Sequence, residues 1–434
     1  MDITFAGLGY VGLVNAIYLA SLGNNIVAFD ADKNKISLLR EGVVPIEEKN
    51  LQELLSSCKN GVRFTSNYKD AFRNALNIFI CIDVFDQYGE INLNPLYKTL
   101  DEIKSIVTND TNIITLSSLP IGENKNIKQY LEKDSLYKFE IISFPQFLRI
   151  GNAVNDIINP NRLIFGASSS LGVDLSKKIA KAYLIRKTPI MITSIENAEL
   201  IEHASNGFIA LKTSYINSLA NLCDKVGGDI EKVVKGLSLD PLIGESYLTP
   251  NIGFSGPLLV NKTNSLYLTS LEKGSPIELL KTVKESNEDQ TKYFLNKIYK
   301  RFKYFSNLTI GVLGVASISD TDEVRCSQAI PILKALLSKN AHLKIYDPLG
   351  NENLQKLFSR HCHIKYVDYL NDALKNADFV LILSDSKEFK DLKAIDFISL
   401  MKKPIVFDGY NLYKIDSMKG CEYYSIGRKD LNSI

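Results

Sequence analysis

Little in this sequence singles out one sign of charge, one metal or one apolar solvent. The 51 basic and 49 acidic residues of the 434-residue chain leave a net charge of only +2, so bulk electrostatics make no case for nucleic acid or a membrane surface as partner. No apolar run reaches the ~18 residues that a membrane-spanning helix needs. The opening Met1-Asp2-Ile3-Thr4-Phe5 lacks the basic and apolar stretches of a secretory signal. Six cysteines are scattered without a CxxC pair, which argues against a zinc site or a disulfide framework and for reduced thiols in a cytoplasmic protein. His342, His361 and His363 read as surface residues, and no metal is expected. Low-complexity tracts and short-period repeats are also missing.

What is present is ordinary globular material, 45% hydrophobic and 23% charged, in a chain long enough for two or three domains. Short apolar runs at 2–7, 26–29, 77–83, 112–116, 141–142 and 163–166 alternate with helical patterns and predict a parallel sheet. From Glu196 the period changes: Leu200, Ile201, Ala204, Phe208, Leu211 and Tyr215 recur at helical steps. A Pro/Gly-rich loop over 239–257 interrupts that helical stretch. Strand-like runs return at 308–313, 342–346, 379–383 and 404–407, with a helix over 329–337. The expected architecture is α/β: two Rossmann-like doubly wound domains, 1–195 and 301–434, joined by a helical central segment, 196–300, with a long dimerisation helix.

Gly7-Leu8-Gly9-Tyr10-Val11-Gly12 is a G-x-G-x-x-G that follows a strand and opens a helix, and Asp30 closes the next strand. The first glycine permits the tight turn, the second lets the backbone approach a pyrophosphate, and the third lets helix and strand pack closely. The helix N-terminus favours the anion. A carboxylate at Asp30 accepts from a ribose 2′-hydroxyl and repels a 2′-phosphate, which points to NAD rather than NADP. The alternative is a merely structural turn capped by Asp30.

Beyond this motif, Phe29-Asp30-Ala31-Asp32 with Lys35, Phe144-Pro145-Gln146-Phe147-Leu148-Arg149, Ala198-Glu199-Leu200, Gly253-Phe254 with Gly256, and Tyr346-Asp347-Pro348 fall in one order along the chain. In that order the sequence resembles the UDP-glucose/GDP-mannose dehydrogenase family over nearly its whole length. The resemblance implies oxidation of a nucleotide-sugar C6 alcohol to a carboxylate with two NAD, in polysaccharide biosynthesis. It also implies an NAD-binding first domain, a nucleotide-sugar-binding last domain and a dimer made by the central helix. Carried over residue by residue, it places Gly7, Gly9, Tyr10, Val11, Gly12, Asp30, Lys35 and Ser118 at the cofactor. Phe147, Leu148, Arg149, Asn206, Tyr247, Gly253, Phe254 and Arg325 fall at the sugar nucleotide, a UDP-sugar.

The chain departs from the family where the chemistry is done. The family's cysteine thiolate forms a thioester during the second oxidation; the matching position is Leu258. The loop's Lys-Asp pair is Asn261-Lys262, and the helix lysine is Glu202, whose charge opposes a developing oxyanion. The family's glutamate is Gln146, which cannot serve as a base. Other positions are Val84-Phe85 for Thr-Pro, Leu242 for an arginine donated across the dimer, Ile318 for a lysine, and Tyr410 for the arginine of Asp-x-Arg-Asn. Only Ser118 and Asn206 survive as candidates for catalysis. Charge-assisted hydrogen bonds lost at ~1.5–3 kcal/mol each would lower NAD affinity by orders of magnitude.

Three readings follow. The first is a pseudoenzyme that has lost the four-electron oxidation and serves as a binding or partner protein, as a homodimer or with an active paralogue. The second is a two-electron NAD-dependent oxidoreductase on a nucleotide sugar. The third is a divergent but active UDP-glucose dehydrogenase drawing on Cys81 or Cys326. Arg149 and Arg325 read equally as surface ion pairs, Asn206 as a packing amide, and Glu202–His203 as neighbours that do not face one way.

Overall fold

Successive residues of a strand point to opposite faces of its sheet, and here both faces are apolar, so helices must cover both. In the computed structural model they do. Ile3, Phe5, Phe79, Ile114 and Ile142 belong to one buried cluster, while Ala6, Ile78, Ile80, Ile113 and Ile141 belong to another. The structure describes all residues except 59–60, 87–89, 184–187, 359–360 and 432–434. It divides into two units, Met1–Ser205 and Asn206–Ile434.

The first unit is built on eight strands: β1 Asp2–Ala6, β2 Asn25–Phe29, β3 Val62–Thr65, β4 Asn77–Ile80, β5 Thr111–Thr115, β6 Phe139–Ser143, β7 Leu163–Ala167 and β8 Ile190–Thr193. Their order is β3-β2-β1-β4-β5-β6-β7-β8. The chain reverses its winding between β1 and β4, and in such sheets ligands bind beyond the strand ends at that switch. One correction concerns β7, which pairs antiparallel with β6 through Ile142–Ala167 and Ser143–Gly166 rather than extending the parallel run. The turn-rich connection 144–162 carries only the short helix Ala153–Ile158, whereas a parallel return requires a full crossover.

The second unit holds β9 Thr309–Leu313, β10 His342–Tyr346, β11 Ile364–Tyr366, β12 Phe379–Ile382, β13 Ile405–Asp408 and β14 Glu422–Tyr424. Their order, β11-β10-β9-β12-β13-β14, repeats the pattern of the first six strands of the other sheet. The run 404–407 is therefore not the last strand: β14, three residues long, lies outside it on the edge. Ile310, Val312, Phe379 and Leu381 pack on one face, and Leu313, Val380 and Ile382 on the other. Ahead of this sheet lie the helices Ile230–Ser238, Pro257–Glu272 and Glu278–Arg301. The long helix Ile195–Val226 contains the boundary between the units. Among the described residues, no helix is long and apolar enough to cross a membrane and no metal-ligating cluster occurs.

Candidate cofactor and substrate site

The turn after β1 is held by sterics. Gly7 has φ +97°, and a Cβ there would stand 2.7 Å from the Cys81 carbonyl oxygen. At Gly12 a Cβ would stand 2.0 Å from the Gly7 oxygen, so helix and turn touch with no room for a side chain. A Cβ at Gly9 meets nothing within 4 Å. That combination, two glycines forced by packing and one facing open space, is what close passage of a dinucleotide needs. Tyr10 and Val11 begin the helix Tyr10–Ser21, whose N-cap residue Gly9 supplies no side-chain acceptor to the first-turn amides.

Asp30 sits at the tip of β2. Its Oδ2 accepts from the Leu8 amide at 2.9 Å and from Lys35 Nζ at 2.8 Å, and its Oδ1 accepts from the Asp32 amide at 2.9 Å. Four acceptor positions minus three bonds leave capacity on Oδ1. The same element in the second sheet is closed. There Asp347 spends Oδ2 on the amides of Val315 and Ala316 and Oδ1 on those of Leu349 and Gly350. One fold thus presents an open carboxylate in the first unit and a buried, saturated one in the second.

Cys81 packs beneath the glycine turn, and burial pushes its thiol far above the usual range. It is a neutral filler there, not a nucleophile. Val84 is buried, and Phe85 bridges Ile91 in an antiparallel pair.

Ser118 and Glu202 lie 84 positions apart, yet the Ser118 hydroxyl donates to Glu202 Oε1 at 3.4 Å. The surviving hydroxyl is therefore directed at the residue whose charge is reversed. Both Glu202 and His203 are buried, and His203 Nδ1 lies 3.0 Å from the Glu199 carbonyl oxygen, one turn back. The sequence shows Glu199 only as part of a motif; the structure gives it a task. Its Oε2 accepts from the Gly122 amide at 2.7 Å, and its Oε1 from the Asn124 amide at 3.2 Å and side chain at 2.8 Å. It caps the helix Glu123–Glu132 from a distant part of the chain. Burial raises its pKa, against these hydrogen bonds.

In the segment after β6, Gln146 Nε2 donates to the Phe144 carbonyl at 3.3 Å. The Phe147 ring lies 4.1 Å beneath the Arg162 guanidinium, and Leu148 packs on the core. Arg149 is paired to Asp156 through Nε at 3.0 Å and Nη2 at 2.6 Å, with its side chain 64% exposed.

In the second unit the loop preceding the helix Pro257–Glu272 is bolted down by amides and a hydroxyl. Asn287 Oδ1 accepts from the Phe254 amide at 2.7 Å, Gln290 donates to the Asn251 carbonyl at 2.9 Å, and Thr291 donates to the Ile252 carbonyl at 3.0 Å. Gly253 has φ +125°, and a Cβ there would meet Asn287 Oδ1 at 2.8 Å. Leu258 is the second residue of the helix, half-buried, while Lys262, one turn on, is buried. The loop has no thiol of its own, but the Gly256 amide donates to the Cys326 carbonyl at 3.4 Å. Cys326 thus adjoins the loop, with φ +54° and partial exposure. Arg325 clasps Glu323 at 2.6 Å. Asn206 is half-buried on the long helix, and Tyr247, with φ +61°, is exposed. Tyr410 hydrogen-bonds Ser255, within the same loop.

Comparison with known proteins accounts for this arrangement. Residues 1–184 match the profile of the UDP-glucose/GDP-mannose dehydrogenase family NAD binding domain, 196–289 its central domain, and 311–415 its UDP binding domain. A UDP-glucose 6-dehydrogenase of Rickettsia felis is 35% identical over 437 aligned residues, covering 99% of this chain and 97% of that protein. One from Bacillus subtilis is 32% identical, covering 98% of this chain and 93% of that protein. The solved structure of a UDP-glucose dehydrogenase from Pyrobaculum islandicum superposes with TM-score 0.88 at 24% identity, covering 98% of this chain and 96% of that one.

Proposed function

Because this chain belongs to the UDP-glucose/GDP-mannose dehydrogenase family and carries its NAD-binding, central and UDP-binding domains, we propose that it binds NAD and a UDP-sugar but does not complete the four-electron oxidation. Leu258 carries this reading. At the head of the helix that follows the Gly253–Gly256 loop, an aliphatic side chain cannot add to an aldehyde or hold an acyl group. NAD, when bound, supplies a hydride acceptor. The chain's own contribution on the first unit is positional: Gly9 leaves room, Asp30, paired with Lys35, would hold the ribose, and Ser118 holds its proton toward Glu202. The Gln146 amide offers no base, and Glu202 offers no cation for an oxyanion.

The protein works in this reading as a cytoplasmic dimer, with itself or with an active paralogue. Supporting this, the long helix leaves Phe208, Tyr215 and Leu222 exposed at seven-residue spacing, and the loop residue Leu242 is 95% exposed. The test mixes the protein with NAD and UDP-glucose and follows NADH absorbance, product mass and thermal stability. Ligand-induced stabilisation with no NADH supports the proposal; a uronate product overturns it.

A second reading, a divergent active dehydrogenase, is favoured by one observation, the position of Cys326 beside Gly256. In that case uronate forms and Cys326→Ser abolishes it.

A further inference from the structure

The second unit has a cleft of about 900 Å³ remote in sequence from the Gly253–Gly256 loop, between the end of the long helix, the last half of the helix Glu278–Arg301 and the segment after β14. Its charge is out of proportion to the chain. Lys225, Lys300, Lys303 and Lys429 line it, are exposed, and none forms an ion pair with a described residue. Lys297, Arg301 and Arg428 line it as well but are committed: Lys297 to Asp224 at 2.7 Å, Arg301 to Glu422 and Arg428 to Glu231. Even with Asp224, Asp430, Glu231 and Glu422 all counted, seven cations face four carboxylates, an excess of three in one cleft, against +2 for the entire protein.

The committed pairs matter as much as the unpaired lysines. Lys297 and Asp224 are nearly buried, and Arg428 is fully so, with its guanidinium also donating to the Tyr423 hydroxyl at 2.9 Å and the Tyr413 carbonyl at 3.0 Å. They form a rigid, low-dielectric floor that the surrounding acids already neutralise. The four lysines are exposed and stand outside the ion pairs, although Lys300 also acts on Asp430, and concave walls focus such a field. Like charges gathered along one cleft repel one another, a cost that a bound counter-anion relieves. Tyr293, Tyr299 and Tyr424 add aromatic surface among the cations, and the volume lies within the ~300–1,000 Å³ range of small-ligand sites.

We propose that this cleft binds a multiply charged phosphate anion of nucleotide size, at a site separate from the glycine turn and the Gly253–Gly256 loop. The proposal does not depend on whether the chain oxidises a sugar. The shared chemistry is a run of two or three phosphates; its source is either a free inorganic chain or a nucleoside phosphate whose base lies on a tyrosine.

The experiment is calorimetric titration of the full chain with pyrophosphate and with ADP at low and moderate salt, repeated on the double variant Lys300→Glu/Lys429→Glu. These are exposed positions whose substitution leaves the core intact. The wild type is expected to bind pyrophosphate more weakly as salt rises, and the double variant to bind at least tenfold more weakly, while the thermal shift produced by NAD is unchanged. If the ADP affinity that the variant removes is at least tenfold tighter than that for pyrophosphate, the ligand is a nucleotide; if the two are equal, it is the phosphate chain alone. No pyrophosphate binding by the wild type, or equal binding by the double variant, overturns the proposal.

Discussion

Replacing Asp30 by Ala tests the cofactor assignment with a sign as well as a size. The carboxylate binds the Leu8 amide and the Lys35 ammonium through one oxygen and the Asp32 amide through the other, with its side chain 13% exposed. If its remaining acceptor position holds a ribose hydroxyl, its removal costs one charge-assisted bond, about 1.5–3 kcal/mol, or about ten- to 150-fold in the NAD Kd. NADP should respond in the opposite direction. In the wild type a 2′-phosphate meets the carboxylate; in Asp30→Ala it meets Lys35, freed from its pair. The ratio of NADP to NAD dissociation constants is therefore expected to fall by more than about tenfold. Titration of both dinucleotides by calorimetry reads this directly. Asp347→Asn is the control, because that carboxylate is buried on four amides; it should lower stability without moving the ratio. An NAD Kd unchanged within about twofold in Asp30→Ala, well short of that hydrogen bond's worth, refutes the assignment.

Other expectations follow from the same geometry. Gly12→Ala places a Cβ 2.0 Å from the Gly7 oxygen and should cost about 3 kcal/mol or more in urea unfolding. Gly9→Ala, with nothing within 4 Å, should change stability by less than about 1 kcal/mol yet abolish the thermal shift from NAD. Glu199→Gln sets an amide N–H against a backbone N–H at the cap of the helix Glu123–Glu132 and should cost about 2–4 kcal/mol. Burial raises the folded-state pKa of Glu199, so the stability linked to its proton is complete below the unfolded value of about 4.3 and is lost as pH rises through the folded value. The gap between wild type and Glu199→Gln should be widest in acid and narrow toward neutral pH. Leu258→Cys alone should yield no uronate, measured by product mass, because Gln146 and Glu202 still lack the family's base and cation.

The elements that were legible in the sequence were those with strong local signals. Apolar runs flanked by turns gave β1, β2, β9, β10 and β12, and the helix over 329–337 matches Ala329–Leu337. β3, β11 and β14 do not stand out because Arg63, Lys365 or Glu422 interrupts a run of three or four residues, whereas β12, equally short, is uniformly apolar. β8 is likewise short and lies on the sheet edge, and such strands form only where a neighbour supplies hydrogen bonds.

The glycine spacing, Asp30 and the family substitutions at Gln146, Glu202, Leu258 and Lys262 are properties of the chain as written, because each depends on residue type at a local position. Tertiary structure decided what those residues touch. The direction of the Ser118 hydroxyl, the capping by Glu199, the closure of Asp347 against the openness of Asp30, the approach of Cys326 to Gly256 and the convergence of lysines from 225 to 429 all join positions tens to hundreds of residues apart. No local propensity encodes such pairings; they exist only once burial of the two sheet faces has fixed where each helix and loop must lie.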